Sequence, residues 1–147
     1  MAKAIYPCLW FDGKAQEAAR FYCSVFKNSK IIVDTPMVVK FELNGNHFMG
    51  LNGGPHFKFN EAVSLVIDCA DQAEVDYYWN ALTADGGQES MCGWLKDKYG
   101  LSWQVVPLII GEKMGSGNEK KAGAMMQALM KMKKLDVAAL EAAYNAG

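Results

Sequence analysis

Four cysteines, two histidines and a strand-borne glutamine are the residues from which this chain could build chemistry. Cys8, Cys23, Cys69 and Cys92 are scattered, and no two form a Cys-x-x-Cys pair. That spacing argues against a zinc knuckle and against a thioredoxin-like redox motif. The four are read as reduced, mostly buried thiols serving as small hydrophobes. Cys8 becomes a nucleophile only if its thiolate is stabilised, and no His or basic cluster lies beside it in sequence. Both histidines are read as surface or linker side chains: His47 is set on the opposite strand face from Met49, and His56 falls between two modules. Gln104 stands in CGWLKDKYGLSWQVVP (92–107), an amide inside a β-rich run.

These residues are positioned by a repeat. LWFDGKAQEAARFYCSVF from Leu9 matches LVIDCADQAEVDYYWNAL from Leu65 at an offset of 56. Leu9 falls on Leu65, Asp12 on Asp68, Gln16 on Gln72 and Tyr22 on Tyr78. Each copy opens as a short strand and turns at an Asp able to cap a helix. Apolar residues then recur at a spacing near 3.6: Ala15, Ala18, Ala19, Tyr22, Val25 and Phe26 in the first copy, Ala73, Val75, Tyr78, Trp79 and Leu82 in the second. Strand-like material follows each helix. Asn44-Gly45 marks a hairpin in the first copy and Tyr99-Gly100 its counterpart in the second, 55 residues on, one residue having been lost.

The expected architecture is therefore α+β: two paired βαβββ modules forming a concave mixed sheet, plus C-terminal helices. Module one covers 1–54 and module two 60–107, with PHFKFNEA as linker and a helical tail over 108–147, all in one domain. In the tail, Met125, Met126, Leu129 and Met132 share a helix face, read as core or dimer packing, and Asp136 caps a last short helix. If the tail is a dimer interface, truncation after about Pro107 leaves a soluble monomer. In the hairpin of module two, Trp103 is assigned to the core, and Lys96, Asp97 and Lys98 form a solvated charge run.

Half the residues are apolar, a fifth are charged and the formal net charge is −1. No basic field recommends nucleic acid or an acidic membrane. No apolar run reaches the roughly 20 residues of a membrane helix, and the N-terminus lacks the pattern of a secretory signal, so a cytoplasmic protein is expected.

LWFDG (9–13), EAARFY (17–22), FELNG (41–45), GLNGGP (50–55), the 92–107 stretch and AMMQALMKMKKLDVAALEAAY resemble the PhnB-like, 3-demethylubiquinone-9 3-methyltransferase-like branch of the vicinal oxygen chelate superfamily. That superfamily includes glyoxalase I, bleomycin-resistance proteins and extradiol dioxygenases. Lys30 to Phe41 is short for the branch. The resemblance implies up to four metal ligands, one from the first and last strand of each module. The matching positions here are Tyr6, Met49, Ala62 and Gln104, the last where relatives carry a metal-binding Glu; a two-residue slip substitutes Cys8 and Ser64. None of these makes a divalent site, so no metal and no cofactor are expected. Shared sites across subunits in the superfamily imply a homodimer.

Strand alternation places Tyr6, Cys8 and Trp10 on the cleft face and Ile5, Leu9 and Phe11 on the helix-packed face. Ala62, Ser64, Val66, Met49, Leu51, Ser102, Gln104 and Val106 join the cleft. From this set Tyr6, Cys8, Trp10, Met49, Leu51, Ser64 and Gln104 are the expected contacts to a small organic ligand, with no catalytic residue assigned. Three readings stay open: a binder without turnover; an enzyme, as a lyase or isomerase or, ranked lower, a methyltransferase; and a structural or regulatory homodimer.

Overall fold

Why the first sheet has one buried face is legible in VVKFEL, whose residues alternate between half-buried and buried along β3 (Val38–Leu43). Val39, Phe41 and Leu43 point at α1 (Ala15–Val25), whose inward side carries Ala15, Ala18, Ala19, Tyr22 and Val25, all buried. The small side chains let the helix lie close. At Gly50 on β4 (Asn46–Asn52) a Cβ would stand 2.9 Å from Val39 Cγ1 and 3.2 Å from Ala15 Cβ, so only glycine fits beneath the helix. Together with β1 (Cys8–Phe11) and β2 (Ser29–Asp34), these strands form a mixed sheet in the order β1-β4-β3-β2, with β1 parallel to β4. Asn44 and Gly45 take positive φ (51° and 81°) in a two-residue hairpin turn, as Asn-Gly predicts.

The same β-α-β-β-β order recurs as β5 (Ser64–Cys69), α2 (Gln72–Thr83), β6 (Gln88–Glu89), β7 (Trp94–Lys96) and β8 (Ser102–Pro107). The second sheet runs β5-β8-β7-β6, with β5 parallel to β8. Three helices follow: α3 (Ile109–Met114), α4 (Glu119–Leu129) and α5 (Val137–Ala146). The computed structural model describes residues 2–147, in one compact unit ending at Phe59 and another spanning Asn60–Gly147. The α+β class and the two mixed four-stranded sheets agree with the sequence expectation. Among the described residues no helix is long and apolar enough to cross a membrane.

Several local expectations are corrected. Neither repeat Asp caps its helix. The Ala15 N–H is taken by Asn52 Oδ1 (2.8 Å), reaching over from β4, and α2 is capped by Asp71, which accepts from the Glu74 N–H. Ile5 is not core: it precedes β1 and is 95% exposed. Ala73 is exposed, whereas Val75, Trp79 and Leu82 are buried. The thiols are not mostly buried: Cys69 is, Cys23 and Cys92 are half-buried and Cys8 is exposed.

The second hairpin departs furthest. Trp94↔Gln104 and Lys96↔Ser102 repeat the register of Val38↔Leu51 and Lys40↔Met49. Residues 97–101 therefore stand where residues 41–48 stand in the first unit, and three residues are lost rather than one. Gln104 answers Leu51, and Ser102 answers Met49. The shorter connection is built on Asp97, which is 2% exposed and not part of a solvated charge run. Its Oδ1 accepts from the N–H groups of Tyr99 (2.8 Å) and Leu101 (3.1 Å), and its Oδ2 from Trp103 Nε1 (2.9 Å). Trp103 is buried, as expected.

The methionine face of α4 is core. Met125 and Leu129 are buried with Leu135, Leu140 and Tyr144, and Met126 packs against them together with Met132, which lies beyond the end of α4 rather than on its face as expected. Asp136 caps α5 by accepting from Ala139 N–H (3.0 Å), as its position implied.

Candidate functional site

On the first sheet, the face turned from α1 carries Cys8 opposite Met49 and Trp10 opposite Leu51. Strand pairing also puts Lys40 beside Met49 and Glu42 beside His47. His47 lies two residues from Met49, so the two share a face, which corrects the parity assigned from sequence. Its Nε2 is 3.4 Å from Glu42 Oε1, and Lys30 approaches the other Glu42 oxygen at 3.8 Å. Tyr6, before β1, is half-buried, with its ring 6.5 Å from that of His47 and Lys40 Nζ 5.7 Å from its centroid.

Trp10 is already committed. Its Nε1 donates to Gly54 O (2.8 Å), and Phe57 stands edge-on at 4.9 Å between centroids. A Cβ on Gly53 would fall 2.4 Å from the indole, so the ring lies directly on that backbone. This tryptophan is a fixed wall rather than an adaptable one.

Cys8 is exposed, yet its thiol is pushed above its ordinary value by desolvation, which does not favour a nucleophilic thiolate. Burial first, with Glu74 and Asp68 adding repulsion, pushes the Cys69 thiol up to about 12. Mild alkylation at pH 8 should therefore label Cys8 first and Cys69 last, with Cys69 reacting only on unfolding; mass mapping of the labelled peptides checks the order. Because the folded state holds the Cys69 proton more tightly, stability from this group is complete below its ordinary value of 9.0 and declines as pH rises towards about 12. Wild type should lose stability relative to Cys69→Ala across that window.

In the second unit, Gln104 Nε2 donates to Ser64 Oγ (2.9 Å), which joins two of the expected ligand contacts. Beside them is a pocket of about 530 Å³ lined by Glu61, Gln88, Glu89, Ser90, Trp94, Leu95, Lys96 and Ser102. None of the seven expected contacts lines it, although Ser64 and Ser102 are register partners. Glu61 pairs with Lys96, and Glu89 accepts from the Trp79 indole N–H (2.6 Å). Sequence reading missed Trp94, Lys96, Glu61, Gln88 and Glu89. The usable signal was strand parity: Trp94 and Lys96 flank the buried Leu95 on β7 and so share the other face.

The positions that the resemblance implies for a metal hold Tyr6, Met49, Ala62 and Gln104, with Ser102 in place of Gln104 in the register observed, so the set is one phenol, one thioether, one methyl and one amide or hydroxyl. Such donors do not fit a divalent ion, and the Gln104 amide is engaged with Ser64. Among the described residues no three His, Cys, Asp or Glu side chains gather closely enough to share a cation.

The profile of the family described as 3-demethylubiquinone-9 3-methyltransferase matches residues 3–106. A PhnB protein from Bacillus cereus is 32% identical, with a TM-score of 0.65 over 71% of this chain and 99% of that one. A glyoxalase/bleomycin resistance protein from Albidiferax ferrireducens is 13% identical, with a TM-score of 0.53 over 72% of this chain and 98% of that one. The fosfomycin resistance protein of Listeria monocytogenes, solved with Mn(II) and sulfate, is 14% identical, with a TM-score of 0.56 over 73% and 91%. These last two likenesses are of fold. No curated protein matches the chain.

Proposed function

The chain belongs to the family described as 3-demethylubiquinone-9 3-methyltransferase, the PhnB-like branch of the vicinal oxygen chelate superfamily, and from that premise we propose that it is a metal-free binder of a small organic ligand. The observation that carries the reading is the pocket of about 530 Å³ in the second unit. Its volume suits a small molecule, Trp94 offers it an aromatic surface, and Gln88, Ser90 and Ser102 offer polar contacts. Ser64 and Gln104 belong to the proposal as neighbours of Ser102 on the same sheet. Tyr6, Cys8, Trp10, Met49 and Leu51 belong to it as the corresponding face of the first sheet. The metal-free part rests on donor chemistry: thioether, methyl and neutral amide hold a divalent cation poorly.

A thermal-shift screen of small organic compounds should give saturable stabilisation without turnover, and the Trp94 indole N–H resonance should move with the same affinity. Compounds that stabilise the protein but leave that resonance still would place the ligand elsewhere. Metal analysis after dialysis should find less than one ion per chain; a stoichiometric ion would sink the metal-free reading.

An enzyme is the second reading, because the family bears a methyltransferase name. Its support is thin on the chain's own residues. Gly115 and Gly117 follow a helix rather than a strand, and Gly53 is occupied by the Trp10 ring. Micromolar S-adenosylmethionine binding by calorimetry would reverse the ranking. A homodimer belongs to the proposal as well, supported by the exposed apolar side chains Ile5, Phe57, Val63 and Val66, which a second copy would cover. Sedimentation of the full chain tests it, and cell fractionation tests the proposed cytoplasmic residence.

A further inference from the structure

Lys96, Ser102 and Ser64 stand in a row across three neighbouring strands, β7, β8 and β5. Glu61 precedes Ser64 by three residues, and its carboxylate pairs with Lys96 Nζ on the far side of β8. The ion pair thus links the two flanks of β8, and Glu61, Lys96 and Ser102 line one pocket. Ser102 is 1% exposed, and its Oγ is a buried side-chain oxygen without a hydrogen-bond partner among the described residues. It also lines the pocket. Buried hydroxyls are almost always paired, so one left single in a pocket that also holds an exposed ion pair points to a partner that arrives from outside.

Relative exposure indicates the charge of that partner. The Glu61 side chain is 62% exposed and lies on the lead-in to β5, whereas that of Lys96 is 37% exposed and anchored in β7. Ion pairs this exposed are weak in water, and the glutamate is the member free to swing out. Its departure would leave an ammonium beside an unpaired hydroxyl, two donors converging on one oxyanion. Glu89 is the opposing charge in the pocket; the Trp79 indole N–H fixes its Oε1 without neutralising it, so it limits the preference for an anion to a modest one. Resting on the reading that this pocket binds a small organic molecule, we propose that its ligand is an organic anion. A carboxylate- or phenolate-type oxygen displaces Glu61 from Lys96 and accepts the Ser102 O–H, while the apolar body lies against Trp94.

The test uses the intact chain and three matched probes: 2-naphthoate, 2-naphthamide and 2-naphthylmethylammonium, followed by the Trp94 indole N–H resonance. Naphthoate should bind about fivefold tighter than the amide, the size of a partly screened charge-assisted bond. Glu61→Gln removes the competitor and should tighten naphthoate alone. Lys96→Met should erase the preference for naphthoate, and Ser102→Ala should weaken naphthoate without lowering Tm. Equal binding of acid and amide, tighter binding of the ammonium, or weaker naphthoate binding in Glu61→Gln would overturn the anion assignment and leave the pocket standing. No movement of the Trp94 resonance with any probe would overturn both.

Discussion

Asp97→Ala is expected to destabilise the protein by about 3–5 kcal/mol, the sum of leaving three donors without their acceptor at about 1–3 kcal/mol each, less what water recovers at the half-buried end. Asp97 is 2% exposed, and its two oxygens collect the N–H groups of Tyr99, Leu101 and the Trp103 indole. The backbone closes around the same residue: Asp97 N–H donates to Leu101 O and Gly100 N–H to Asp97 O, both at 2.9 Å. Alanine would strip the side-chain acceptor from all three donors, of which those of Leu101 and Trp103 are buried and that of Tyr99 is half-buried. Asp97→Asn should cost less, because its oxygen can still serve the two backbone N–H groups while its NH₂ faces the Trp103 indole donor. Urea unfolding of the three proteins, read by tryptophan fluorescence, gives the comparison. A loss below about 1 kcal/mol for the alanine variant would mean that water replaces the carboxylate, and the account of the loop would be wrong.

That loop also shows where sequence reading stopped. Asn44-Gly45 was legible because two consecutive residues at positive φ almost dictate a two-residue turn. The α1 face and the β3 alternation were legible because their periods are local. Gly100 also has positive φ (85°), which made Tyr99-Gly100 look like the same turn. What sets the second connection is a carboxylate reaching the indole six residues on, and no period encodes that contact. The caps of α1 and α2 failed as well: Asn52 takes the Ala15 N–H from 37 residues away, and Asp71 rather than Asp68 caps α2, whereas Asp136 caps α5 as expected. Lys96 and Glu61 are 35 residues apart and looked like a charge run and a linker, since an ion pair leaves no signature in composition. His47 was different: i and i+2 share a strand face, so its place beside Met49 was legible and simply misassigned.

Leu135→Ala is expected to cost about 2–5 kcal/mol, as for other fully buried leucines, and to weaken binding in the second unit's pocket as well. Leu135 is wholly buried between α4 and α5. It packs directly on Gly93, where an added Cβ would meet Leu135 Cδ1 at 2.9 Å. The flanking backbone is stitched to the same place: Met132 O accepts from Cys92 N–H (2.7 Å) and Lys133 O from Gly93 N–H (2.9 Å). From α2, the Gln72 amide donates to Leu135 O (3.1 Å) and accepts from Val137 N–H (2.7 Å). Gly93 leads straight into Trp94 and Lys96, so the C-terminal helices buttress one wall of the pocket rather than forming a detachable handle. Removing residues 130–147 should accordingly unfold the second unit instead of releasing a soluble monomer. The milder Leu135→Ala variant separates support from simple collapse. If it stays folded by circular dichroism, 2-naphthoate binding should still fall, with the Trp94 indole resonance broadened. Unchanged affinity in a folded Leu135→Ala protein would show that the wall stands without its buttress, and the tail would then have to be explained by something other than the pocket.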